Sequence, residues 1–215
     1  MATLKNGANG GFRGQVGSVV GYQWKGIDVI RSLPKKSDKP RSEKQLANEL
    51  RMKLAMSFLS PITDIIRAGF QRETEGLAMT PFNMALSYHK KNAIGGSYPD
   101  LYFDYNKAKI STGPLSPPES LAAQWTDEGL LISWATPPAR ETLTCDQNVI
   151  LLLRFPQHRC GTWDSRTTGI TRGMGRYLFL LSPDIIGNEA HLYAAFNSGL
   201  SNEMSDSRYL HIPAR

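Results

Sequence analysis

The chain has 215 residues, of which 40% are hydrophobic and 20% charged, and a formal net charge of +6. That length accommodates one large or two small domains with cores of their own, and no apolar run approaches the roughly 20 residues that span a bilayer, so membrane insertion is not expected. The opening Met-Ala-Thr-Leu-Lys-Asn-Gly lacks an apolar signal core, so export is not expected, and Cys145 and Cys160 are expected as buried thiols in a reducing compartment.

The excess charge is local. Residues 1–53 hold 11 Lys and Arg against 4 Asp and Glu; residues 54–100 balance at 4 against 4, and residues 101–215 hold 10 against 11. Residues 1–17 form a glycine-rich lead, expected either to be mobile in the isolated protein or to pack against a neighbour. Residues 18–33 read as a β-hairpin. Ser18 to Trp24 is β-branched and aromatic, Lys25-Gly26 supplies the turn, and Ile27 to Leu33 returns. Residues 34–41, PKKSDKPR, form a basic linker held extended by Pro34 and Pro40.

Residues 42–70 read as helix. Ser42 and Gln45 resemble a capping box, Leu46, Leu50, Leu54 and Phe58 recur on one row, and Pro61 is expected to break or kink it. A second helix is predicted over 81–94, capped by Thr80, opened by Pro81 and stopped by Gly95-Gly96. From Tyr98 the period becomes that of strands. Leu101–Tyr105 and Lys107–Thr112 alternate, and 113–118 reads as a boundary turn. Short strands then follow at Leu121–Trp125, Leu130–Trp134, Val149–Phe155, Tyr177–Leu181, His191–Phe196 and Ser207–Ile212. Their spacing predicts a β-sandwich. The expected fold class is α+β, an N-terminal β-hairpin and helices followed by an Ig-like antiparallel sandwich. The expected divisions are 1–33, 34–100 and 101–215.

Two stretches carry a resemblance. GLLISWATPP (Gly129–Pro138) resembles the second strand of a fibronectin-type-III module, whose Trp packs the core, and HLYAAFNSGLSNEMSDS (His191–Ser207) resembles its last two strands. The sequence departs from that module at Glu189, where a corner tyrosine belongs. Residues 14–55 and 82–100, with their W-K-G turn, R-S-x-P-K-K linker and Q-L-A helix, resemble an uncharacterised bacterial family of domains of unknown function. That resemblance implies an architecture and no activity. The pattern of W-K-G, then R-x-x-P, then Q is also similar to segments of phage-encoded structural proteins.

No motif names a reaction. Gly21 to Gly26 has the spacing of a phosphate loop, but Ile27 stands where a Lys is required. His89, His158, His191 and His211 are scattered, and His158 with Cys160 gives two ligands where a tetrahedral site needs four. No nucleophile elbow is present, so the chain is read as a non-enzyme without cofactor or metal. Arg154, His158, Arg159, Asp164 and Arg166 fall close together and supply a third, enzymatic reading, equally compatible with a polar hairpin rim.

The leading expectation is a structural or assembly protein, located in the cytoplasm or in an assembled particle, with other protein subunits as partners in a homo-oligomer or larger assembly. Its docking anchors would be Tyr22, Trp24, Ile27, Val29 and Ile30, because buried aromatics dominate interface energies. The alternative is a nucleic-acid-binding protein in which Lys25, Arg31, Lys35, Lys36, Lys39, Arg41 and Lys44 neutralise phosphates while Tyr22 and Trp24 stack on bases.

Overall fold

A computed structural model describes residues 3–4, 11–24, 26–34, 40–136, 147–157, 162–167, 169–199 and 203–215. Its first four strands are β1 (Thr3–Leu4), β2 (Phe12–Val16), β3 (Val19–Trp24) and β4 (Ile27–Ser32), paired antiparallel in chain order. The expected hairpin is β3–β4. Trp24 lies opposite Ile27, and Gly26 takes the φ of 83° that a tight two-residue connection demands. The glycine-rich lead is different from expectation. Phe12–Val16 is a strand paired with β3, with Gly14 opposite Gly21. The Phe12 ring and carbonyl occupy the space a side chain at Gly21 would need, so the absent Cβ lets the strands close.

Helix α1 (Glu43–Leu59) ends at a 3-10 turn, Ser60–Ile62, before α2 (Thr63–Gly69). Pro61 has no backbone N–H to continue the ladder, so the break falls where the sequence places it. Helix α3 (Pro81–Asn92) begins under a side-chain cap, the Asn83 N–H donating to Thr80 Oγ1 at 3.2 Å. It stops two residues short of the expected Ile94 because Ile94–Gly95 (β5) pairs with Tyr102–Phe103 (β6).

Seven strands follow: β7 (Ala122–Trp125), β8 (Gly129–Ser133), β9 (Asn148–Phe155), β10 (Thr162–Arg166), β11 (Arg176–Leu180), β12 (Ala190–Asn197) and β13 (Arg208–Ile212). They form two antiparallel sheets, β11-β8-β7 and β10-β9-β12-β13. This is the three-plus-four strand order of a fibronectin-type-III sandwich, with the fourth strand beside the third. Leu130, Ile132, Leu151, Leu153, Phe179, Leu192 and Phe196 fill the space between the sheets. Trp134 joins them as the resemblance implies, its Nε1 donating to the Arg172 carbonyl at 2.8 Å. Strand β10 was not expected, since Thr-Trp-Asp-Ser-Arg carries little apolar signal.

Lys107–Thr112 is not a strand. Its apolar positions Ala108 and Ile110 are buried, as the alternation implies, but so is Ser111 beside them. Its backbone donors find partners other than a ladder. The Lys109 N–H donates to His89 Nε2, the Ile110 N–H to Ser207 Oγ, and the Thr112 N–H to the Gly69 carbonyl.

The four-stranded sheet is covered on its other face too. Ile150, Leu152 and Tyr193 share a core with Phe58, Leu59, Ile66 and Phe70 from the helices. Phe58 is central, its ring centroid lying 4.6 Å from Phe103, 5.0 Å from Trp163 and 5.8 Å from Tyr193. The chain forms two compact units. One is Met1–Ser42 with Gly76–Ala78; the other is Glu43–Glu75 with Met79–Arg215.

Candidate functional site

Strand pairing decides what the N-terminal sheet presents. Val20 lies opposite Arg31, Tyr22 opposite Val29 and Trp24 opposite Ile27. Opposed residues in an antiparallel pair share a face, so these six side chains form one stripe. Five of them line a shallow groove of about 610 Å³: Val20, Tyr22, Trp24, Val29 and Arg31. The Arg31 guanidinium lies 5.7 Å from the centre of the Tyr22 ring, and Trp24 Nε1 donates to the Ala78 carbonyl at 3.3 Å within the same unit.

Of the five expected anchors, Tyr22, Trp24, Ile27 and Val29 fall on this stripe. Ile30 lies opposite Gly21, on the reverse face. Exposure is high for a set of large apolar groups: 39% for Tyr22, 41% for Trp24, 53% for Ile27 and 62% for Ile30. Among the described residues, no hydrophobic side chain of this unit is buried; the buried set begins at Ala55. Among its described residues the sheet therefore has secondary structure without a core of its own.

Of the expected cations, Arg31 lies on the stripe, and Arg41 and Lys44 are exposed near the start of α1. Lys25, Lys35, Lys36 and Lys39 lie outside the described residues, as do His158, Arg159, Cys145 and Cys160. The register separates the remaining members of the enzymatic reading. Arg154 is opposite Trp163, 5.0 Å from its ring centroid, while Asp164 is opposite Leu153 and points to the other face of the sheet.

Two histidines that are distant in sequence become neighbours. Register places His191 opposite His211, with ring centroids 5.4 Å apart. His191 Nδ1 is 2.8 Å from the Tyr209 hydroxyl, and His211 Nε2 is 3.0 Å from Glu189 Oε1. Burial, aided by His211 and Arg154 and opposed by Glu189, pushes the His191 pKa down to about 4. The signal for this pairing was the shared spacing of the residues on the last two strands, which only a register assignment turns into proximity. His89 is buried and satisfied at both nitrogens: Nδ1–H donates to the Ala85 carbonyl at 2.7 Å and Nε2 accepts from the Lys109 N–H. Among the described residues there is no group of three His, Cys, Asp or Glu able to hold a metal ion, and no helix long and apolar enough to cross a membrane.

Residues 11–211 match the family of unknown function DUF6266, and the chain belongs to that family. No curated protein matches the chain.

Proposed function

We propose that this member of the DUF6266 family is a non-enzymatic structural protein that assembles through its N-terminal sheet, as a component of a multisubunit or virion-like particle, with its fibronectin-III-like sandwich displayed for recognition. The observation that supports this most is the apolar stripe of exposed Tyr22, Trp24 and Ile27 with half-buried Val29, on a sheet with no buried hydrophobic side chain among its described residues. Exposed aromatic and aliphatic groups gathered on one face are costly in water and are the usual anchors of interfaces. The expected occupant is another protein subunit, a second copy of the chain in the first instance, since a two-fold contact would bury the same stripe on both partners.

Light scattering on the purified full chain tests this. The expected result is a defined oligomer that persists at high salt, because apolar docking is not screened. Deleting residues 1–33, or replacing Trp24 and Ile27 with Ser, is expected to give a monomer whose sandwich retains its circular dichroism. A full chain that is monomeric under all conditions, or a truncated one that assembles normally, removes the reading.

The Arg31–Tyr22 stack favours a second reading, in which the basic N-terminal segment holds nucleic acid. It requires affinity that falls steeply with salt. Replacing Lys35, Lys36, Lys39 and Arg41 with Ser is then expected to weaken binding several-fold at low salt, and unchanged binding eliminates it.

A further inference from the structure

In the larger unit, the last turn of α3, the turn after Asp104 and the start of β13 enclose a cleft of about 590 Å³. Among the described residues, four cations line it, Lys91, Lys107, Lys109 and Arg208, and no carboxylate does. Two of the four are neutralised from outside it. Lys107 Nζ lies 3.2 Å from Asp104, and Lys109 Nζ lies 3.2 Å from Asp206. Among the described residues, Lys91 and Arg208 have no carboxylate partner. Lys91 also sits at the negative end of α3, which accounts for a cation there but leaves Arg208 unexplained.

The neutral groups of the lining add donors. Asn92 and Asn106 present side-chain amides. Asn92 Nδ2 donates to the Tyr88 carbonyl at 3.0 Å, leaving its second N–H for another acceptor. Ser207 Oγ accepts from the Ile110 N–H at 3.0 Å, so its own proton remains to be donated. A cleft whose polar groups are dominated by donors, with two cations that have no carboxylate partner among the described residues, is complementary to a compact anion rich in acceptors. Its volume falls in the range of small-molecule sites and exceeds what a lone inorganic ion fills.

We propose that this cleft binds a phosphorylated small molecule, with the phosphate held by Lys91 and Arg208 and the rest of the ligand lying against Asn92, Asn106 and Ser207. Arg208 supplies the forked, two-donor geometry that suits phosphate oxygens, and Lys91 acts as a point charge. This site is independent of the N-terminal stripe; every lining residue belongs to the unit that contains the sandwich.

The test is calorimetric titration of the full chain with glucose 6-phosphate, AMP and inorganic phosphate, beside glucose and adenosine. The expected result is saturable binding of at least one phosphate ester, tighter than inorganic phosphate, with no binding of the unphosphorylated parents. Lys91→Gln combined with Arg208→Gln is expected to weaken that binding by about ten-fold or more, since a charge-assisted hydrogen bond of this kind contributes about that factor. Lys90→Gln, a neighbouring cation outside the cleft, is expected to leave it unchanged. Amide-resolved NMR is expected to show ligand-induced shifts at the Asn92 and Asn106 side chains. Absence of saturable binding by both esters, ester binding no tighter than that of inorganic phosphate, equal binding by the double variant, or binding without shifts at Asn92 and Asn106 overturns the proposal.

Discussion

The two buried histidines show how one residue type carries opposite information depending on its neighbours. His89 uses both ring nitrogens to satisfy backbone groups, which requires the neutral ring with its proton on Nδ1. His191 is stacked 4.1 Å from the Tyr105 ring and held at a pKa of about 4, chiefly by burial, against 6.5 in an unfolded chain. Above pH 6.5 the ring is neutral in both states and the native structure bears no proton-linked cost. As pH falls from 6.5 toward about 4, the unfolded chain takes up a proton that the native protein refuses, so stability declines across that window. Urea denaturation at closely spaced pH values is expected to show this decline, and His191→Gln is expected to lessen it, leaving the part due to His89, whose pKa burial also lowers. An identical pH profile in the variant would mean that His191 is not its source. The chemistry of neither histidine was legible in the sequence, because it depends on carbonyls, rings and hydroxyls brought together by register and packing.

At the level of elements, legibility followed the amount of apolar signal. Strands β8 and β9 are rich in Leu, Ile and Val, β12 is a nearly continuous run of apolar and aromatic residues, and all three stand where they were expected. The helix break at Pro61 and the Thr80 cap were also readable, since each depends on a single residue's covalent chemistry. Strand β2, Phe-Arg-Gly-Gln-Val, was hidden by its glycine and charge, and β10 by its polarity. The reverse failure occurred at Lys107–Thr112, whose alternation reflects burial while its hydrogen bonds go to side chains and to a helix end. The candidate docking residues were readable as an aromatic and branched hairpin, but their division between faces was not, because Ile30 moves to the reverse side by one step of a two-residue period. The N-terminal sheet gives its own prediction. Phe12 closes over Gly21, so Gly21→Val is expected to destabilise that sheet by about 1–3 kcal/mol through overpacking. The NMR signal of the Trp24 indole should lose its dispersion while that of Trp134, in the sandwich core, remains. Loss of both signals would show that the two regions unfold together.

For the molecule as a whole, the distribution of burial predicts a hierarchy of stability. Strand β12 is buried along nearly its whole length, with Leu192, Ala194 and Phe196 in one core and Tyr193 in the other. Its amides are expected to exchange with solvent only through global unfolding, whereas those of β4, an exposed edge strand, are expected to exchange through local opening. Hydrogen exchange followed by mass spectrometry distinguishes these; similar protection in the two strands would contradict the hierarchy. The double coverage of the β10-β9-β12-β13 sheet also bears on how such a chain is inherited. A sandwich module that recombines freely between genes must be fit for water on the outside of both sheets. Here Ile150, Leu152 and Tyr193 meet Phe58 and its neighbours instead, so a copy cut out near Pro117 would carry a raw hydrophobic wall. The helices are therefore needed to cover that sheet, and a sandwich cut out without them is expected to aggregate.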